Sequence, residues 1–203
     1  MLARSVFLVA TAFFVASTAT AALPQDRSDW PCRQVKVPEL SLAAIWSGPP
    51  VDEARTRWPD DAAVSELATR LAARRTPIEE AGKLIAEFAR VAGDARRERL
   101  VLLFAAVFDK LDAERAQVLV GLERFGRTQK QAAERLRRET EELRQSQEAH
   151  ESGETIRQRS QALEMDLRVF DERRQTLTYV CESPTLIEQR LGALAREIEA
   201  ALP

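Results

Sequence analysis

Apolar residues fall into seven-residue rows over the second half of the chain. Phe108, Leu122, Leu136 and Leu143 share one heptad position, with Arg115 and Gln129 as polar exceptions. Phe104, Leu111, Val118, Phe125 and Ala132 occupy the companion position. Two interleaved rows of this kind form the seam of a coiled coil, because a helix turns the same face to its neighbour every seven residues. His150-Glu151-Ser152-Gly153 then reads as a turn. The period resumes after it with Ile156, Leu163, Phe170 and Leu177, whose companions four residues on are Ser160, Leu167, Arg174 and Cys181. The pattern predicts an antiparallel hairpin over about residues 112–182, its tip near His150 projecting from a body. Asp112 either caps a new helix there or lies inside a continuous one.

Helical signals extend on both sides of the hairpin. Asp60 or Asp61 caps a helix running to about Arg74, with Val64, Leu67 and Leu71 on one face. Thr76-Pro77-Ile78-Glu79-Glu80 predicts a capped start with Pro at the first helical position and two carboxylates against the positive dipole end. That helix carries Ile78, Leu84, Ile85, Phe88 and Val91 and stops at Gly93. Asp94 is the expected cap of the next one. Its centre, residues 100–108, is apolar on every side, which places it in the middle of a bundle. Ser183-Pro184 with Glu188 predicts a separate last helix packing Leu186, Ile187, Leu191, Leu194 and Ile198.

Residues 22–59 break the pattern. Pro24, Pro31, Pro38, Pro49, Pro50 and Pro59 fall here, together with all three tryptophans, Trp30, Trp46 and Trp58. Proline removes a backbone donor and fixes φ, so neither a long helix nor a central strand fits. The expectation is an extended strap across the helical body, with a short helical turn allowed near residues 41–46. The fold class expected is therefore all-α: a helical bundle with a long antiparallel coiled-coil-like hairpin and an N-terminal Pro/Trp-rich extended strap. The helical domain is expected over residues 60–203.

The first residues carry a different signal. Arg4, an uncharged apolar run over residues 6–15 and Ala19-Thr20-Ala21 are the three parts of a secretory signal peptide, expected at residues 1–21. The run is short of the ~20 residues a membrane span needs. Removing residues 1–21 from the 203 leaves 182, enough for one sizeable core. No later segment is apolar enough to span a membrane, and the expected location is periplasmic or secreted. An exported chain meets an oxidising compartment, so the only two cysteines, Cys32 and Cys181, are expected to form a disulfide.

Charge and chemistry narrow the function. Net charge is −2, and residues 127–174 hold eleven basic and eleven acidic side chains, which argues against nucleic acid as a partner. Glu134/Arg138 and Glu164/Arg168 are spaced to support exposed helices. His150 is the single histidine, so sites needing two histidines are excluded and no metal or other cofactor is expected. Gly121 to Gly126-Arg127-Thr128 approaches the phosphate-loop spacing, but it lies within the helical heptads and has Arg where the loop needs Lys. No catalytic constellation emerges, and no enzyme is expected. The expected function is an exported, non-enzymatic interaction, adaptor or accessory protein with a protein partner in the envelope. Trp30, Trp46, Trp58 and His150 are the candidate partner-binding residues. The alternatives are a periplasmic chaperone-like or stress-related helical protein, and a small-ligand-binding bundle. The heptad rows can pair within the chain or with a second copy, so a homodimer is also open.

Overall fold

The computed structural model describes residues 29–203; the expected export signal at residues 1–21 lies outside them. Six α-helices make up the described chain: α1 (Leu42–Ile45), α2 (Asp52–Arg57), α3 (Ala62–Ala72), α4 (Ile78–Ala92), α5 (Arg96–Glu148) and α6 (Gly153–Ala201). Short 3-10 turns at Trp58–Asp60 and Gly93–Ala95 join α2 to α3 and α4 to α5. No strand occurs among the described residues, and the fold is all-α as expected.

The core lies at one end of the molecule. Every residue from Leu100 to Phe108 is buried, as an all-apolar helical stretch requires. Around it pack Val64, Ala68 and Leu71 of α3, Ala81, Ile85 and Ala89 of α4, and Ile187, Leu191, Leu194 and Ile198 of α6. The strap seals one flank by stacking the Trp46 ring on Phe104, with centroids 3.9 Å apart and planes 9° apart. Removing such a ring typically costs about 3–5 kcal/mol.

Two long helices leave this core together. α5 is continuous through Asp112 and counts 53 residues, about 80 Å at 1.5 Å per residue. α6 counts 49 residues and returns antiparallel to it. Leu119, Leu122, Ala132 and Leu136 of α5 and Leu163 and Cys181 of α6 are buried along the hairpin. The row of Ile156, Phe170 and Leu177 is half-buried against α5, whereas its companion Leu167 is 46% exposed.

Several local expectations are corrected. No new helix begins at Pro184, because α6 runs through it. Pro184 gives up one backbone bond, but burial of Cys181, Pro184 and Ile187 holds the turns on both sides. Thr76 caps nothing: its hydroxyl donates to the Arg70 carbonyl at 2.8 Å, and Pro77 stands at the head of α4. Asp94 lies in the 3-10 turn, so α5 opens at Arg96 without a side-chain cap. Asp61 does cap α3, accepting from the Val64 N–H at 3.0 Å. Gly93 ends α4 with φ +53°, which suits glycine. The strap is less extended than expected, since α2 interrupts it. Val91 and Leu186 face outward, at 70% and 50% exposure. Glu134/Arg138 and Glu164/Arg168 form no ion pair; all four side chains are exposed, and no packing forces the contact. The arms use Arg135–Glu139, Arg144–Glu141 and Arg157–Glu154 instead.

Candidate functional site

The strap meets the hairpin along residues 29–38, and a set of polar contacts fastens this junction. Cys32 and Cys181 are bonded there, with Cα atoms 5.6 Å apart and a sequence separation of 149. The Gln34 amide donates to the Cys181 carbonyl within α6. The Lys36 ammonium pairs with Glu123 of α5 at 2.5 Å. Asp29 pairs with Arg127 at 2.8 Å and Lys130 at 3.5 Å. The hydrogen bond from Arg127 holds the Asp29 carboxyl below its ordinary pKa. The strap thus lies across both long helices and is tied to each.

Two helix positions make this crossing feasible. Arg115, the polar exception in the heptad row, is 2% exposed. Its Nε donates to Glu188 at 2.6 Å, and Nη2 donates to the Val37 carbonyl at 2.7 Å. A longer bond, 3.4 Å, runs from Nη1 to the Pro38 carbonyl. One guanidinium therefore joins α5, α6 and the strap, using its fixed fork of donors. Gly126 is buried where the strap passes, and a β-carbon built there would sit 2.0 Å from the Asp29 carbonyl oxygen. Only glycine admits so close an approach.

Beside the disulfide, the strap and α6 enclose an open groove of about 920 Å³. Pro31, Leu177, Leu186 and the disulfide provide its apolar surface. Arg33, Gln34, Arg174, Thr178, Glu182, Thr185 and Gln189 supply hydrogen-bonding groups along it. This mixture of apolar floor and polar rim suits a segment of another protein. A smaller hollow of about 210 Å³ lies nearby, between Ala72, Arg74, Leu111, Ile187 and Arg190. Burial lowers the pKa of the Arg190 guanidinium, and Arg190 donates to the Leu71 and Thr76 carbonyls, closing the loop between α3 and α4 onto α6.

The four residues singled out from the sequence lie apart. Trp30 is in the junction, half-buried, with its indole N–H on the Gln34 carbonyl at 2.7 Å. Trp46 is 7% exposed and donates to the Pro49 carbonyl at 2.8 Å. Trp58 is half-buried against the body, donates to Asp109 at 2.9 Å, and has Lys110 Nζ 5.1 Å from its ring centre. His150 is exposed at the hairpin tip, about 30 Å along the helices from Lys130. It takes φ +54° in the turn that ends α5. Its N–H bonds to the Gln147 carbonyl, and the Glu151 N–H bonds to that of Ser146, the pairing that closes a helix C-terminus.

Arg115, Gly126, Gln34 and Asp29 were not singled out by sequence reasoning. Arg115 left one trace, a charge where the heptad row demands an apolar residue. Gly126 left another in the phosphate-loop-like spacing, whose residues lie within α5. Among the described residues, no group of three or more His, Cys, Asp or Glu is placed to hold a metal ion, and no helix is long and apolar enough to cross a membrane. Compared with known proteins, the chain matches no family model, no curated protein and no solved structure.

Proposed function

We propose that this chain is an exported, non-enzymatic interaction protein of the cell envelope that receives a segment of a partner in the groove beside its disulfide. The observation that carries the reading is the groove itself, formed where the Cys32–Cys181 disulfide and the Gln34 hydrogen bond hold the strap to α6. A disulfide is the usual fastening for a chain that works in an oxidising compartment. An apolar floor with hydrogen-bonding rims suits docking of a peptide or helix. The tryptophans then serve to seat the strap, and the partner meets the residues beside them.

The test places a photo-crosslinking residue at Thr178 and recovers adducts from envelope extract. The same capture is repeated with Thr178→Arg and Thr185→Arg, two exposed helix positions on the groove side. The expected result is one reproducible adduct that both arginine variants abolish. Adducts unchanged by the arginines, or none at all, would defeat the reading.

A second reading, the holding of unfolded clients, draws on exposed apolar side chains along α6, including Met165 at 58% and Tyr179 at 75%. Slower aggregation of a reduced test client would support it, and an unchanged rate would remove it.

A further inference from the structure

α6 carries a second heptad seam that the hairpin does not use. Ala162, Met165, Val169, Glu172, Thr176, Tyr179, Ser183 and Leu186 follow one another at alternating steps of three and four residues. That spacing generates a continuous stripe along a helix. It is distinct from the row facing α5, which runs through Leu163, Phe170 and Leu177. The stripe is open to solvent: Met165 is 58% exposed, Val169 36%, Tyr179 75% and Leu186 50%. It spans about 36 Å, and Glu172 is its one charged member.

We propose that this face of α6 pairs antiparallel with the same face of a second copy, about an axis at Gln175. The argument is charge complementarity. One flank of the stripe reads Gln161, Arg168, Gln175, Glu182, Gln189, each seven residues from the last. Reversed, the series is the same with its two charges exchanged. An antiparallel pair centred on Gln175 therefore sets Arg168 against Glu182 of the second copy twice. It also sets Gln161 against Gln189 of the second copy. Among the described residues, neither Arg168 nor Glu182 has an ion-pair partner, and both are exposed.

The stripe itself agrees with this register. Leu186 faces Ala162 of the second copy, Met165 faces Ser183, and Tyr179 faces Val169, so each layer sets a larger side chain against a smaller one. Glu172 faces the Thr176 hydroxyl. A parallel pairing would instead bring Glu172 onto Glu172 in the seam and, across the flanks, Arg168 beside Arg173 of the second copy, which like-charge repulsion opposes. Arg173 comes near its own copy at the axis, with both Glu172 carboxylates beside it. The pairing goes beyond partner docking and needs no partner. The groove opens on the neighbouring side of α6, sharing only Leu186, Gln189, Gln175 and Glu182 at its edge.

The test measures the mass of purified, disulfide-bonded protein by light scattering and sedimentation over about 1 to 500 µM. A single-helix stripe falls at the small end of specific interfaces, so a monomer–dimer midpoint in the tens of µM, roughly, is expected. Arg168→Glu and Glu182→Arg should each weaken the dimer about tenfold or more, and the double variant should return it to within about threefold of the original. Glu172→Leu should tighten it about tenfold, and Tyr179→Glu should leave a monomer. All four positions are exposed, and circular dichroism verifies the fold of each variant. A monomer at every concentration would overturn the proposal, as would a double variant no better than the single ones. Thr178→Arg should leave the dimer intact, so failure of the groove reading and failure of this one are told apart.

Discussion

Gly126→Ala tests whether the strap crosses α5 where the structure puts it. Alanine within a helix is favoured over glycine by about 1 kcal/mol, because it restricts the unfolded chain and shields the backbone. Gly121 lies in the same helix with nothing within 4 Å of a β-carbon, so Gly121→Ala should show this gain undiminished. At Gly126 the added carbon meets the Asp29 carbonyl oxygen at 2.0 Å and Pro31 Cβ at 3.3 Å. The obstacle is backbone, tethered nearby by the disulfide at Cys32, and it must retreat by about 1 Å. Overpacking of this kind costs about 1–3 kcal/mol. The two effects place Gly126→Ala between no change and a loss of about 2 kcal/mol, and about 1–3 kcal/mol below Gly121→Ala. Urea unfolding of the disulfide-bonded protein, followed by circular dichroism, measures the difference. Retreat of the strap also draws Asp29 away from Arg127, so trypsin should cut faster at Arg33 and Lys36. Equal stabilisation by both alanines, with unchanged strap cleavage, would refute the crossing.

Arg115→Met should cost about 2 kcal/mol in the same assay. It leaves strap carbonyls without their donor, while Glu188, 39% exposed, can turn to water and limits the loss. His150→Gly should stabilise the protein by about 1 kcal/mol, since φ +54° is costly for a residue with a β-carbon; an unchanged melting temperature would count against that turn. Acid should act late. The hydrogen bond from Arg144, then that from Gln145, holds Glu141 at about 2, against an ordinary 4.5. A depressed carboxylate stabilises the fold above its unfolded pKa and loses that contribution as pH falls toward its folded one. Asp29, Glu87 and Asp171 shift in the same direction through Arg127, Arg90 and Arg174. The stability these four carboxylates add is therefore expected to be present above about pH 4.5 and to be lost as pH falls toward about 2, a small decline read by urea unfolding at each pH. A decline that begins above about pH 5 would contradict these pairings.

The long-range architecture was legible because it rests on repetition. The α5 and α6 rows recur often enough that Arg115 and Gln129 do not hide the period, and two cysteines leave one intramolecular pairing. Single-residue signals fared worse where a tertiary bond competed. A cap is worth about 1 kcal/mol, and the Thr76 hydroxyl is drawn instead to the Arg70 carbonyl. Pro184 looked like a helix start because its missing N–H is harmless there, yet packing around Cys181 and Ile187 carries α6 past it. The groove had no local signature. Its walls come from residues 31–34 and 174–189, brought together by the disulfide and by Gln34.

The same geometry explains where the molecule is firm and where it is available. Between Leu100 and Phe108, α5 is enclosed on every side and has no free face. From Arg115 to Lys130 the strap takes over that role, tied by one guanidinium, one disulfide and the Asp29 ion pairs. Beyond Lys130, among the described residues, the two helices have only each other. Ala132, Leu136 and Leu163 are buried there, and surface ion pairs worth a few tenths of a kcal/mol each supply the rest. A two-helix arm of this kind gains most from a third surface, and the exposed stripe from Ala162 to Leu186 lies partly on it. The strap therefore does more than add stability. By fixing α6 at Cys181, it holds the root of the arm so that the stripe and the groove keep a constant relation to the body.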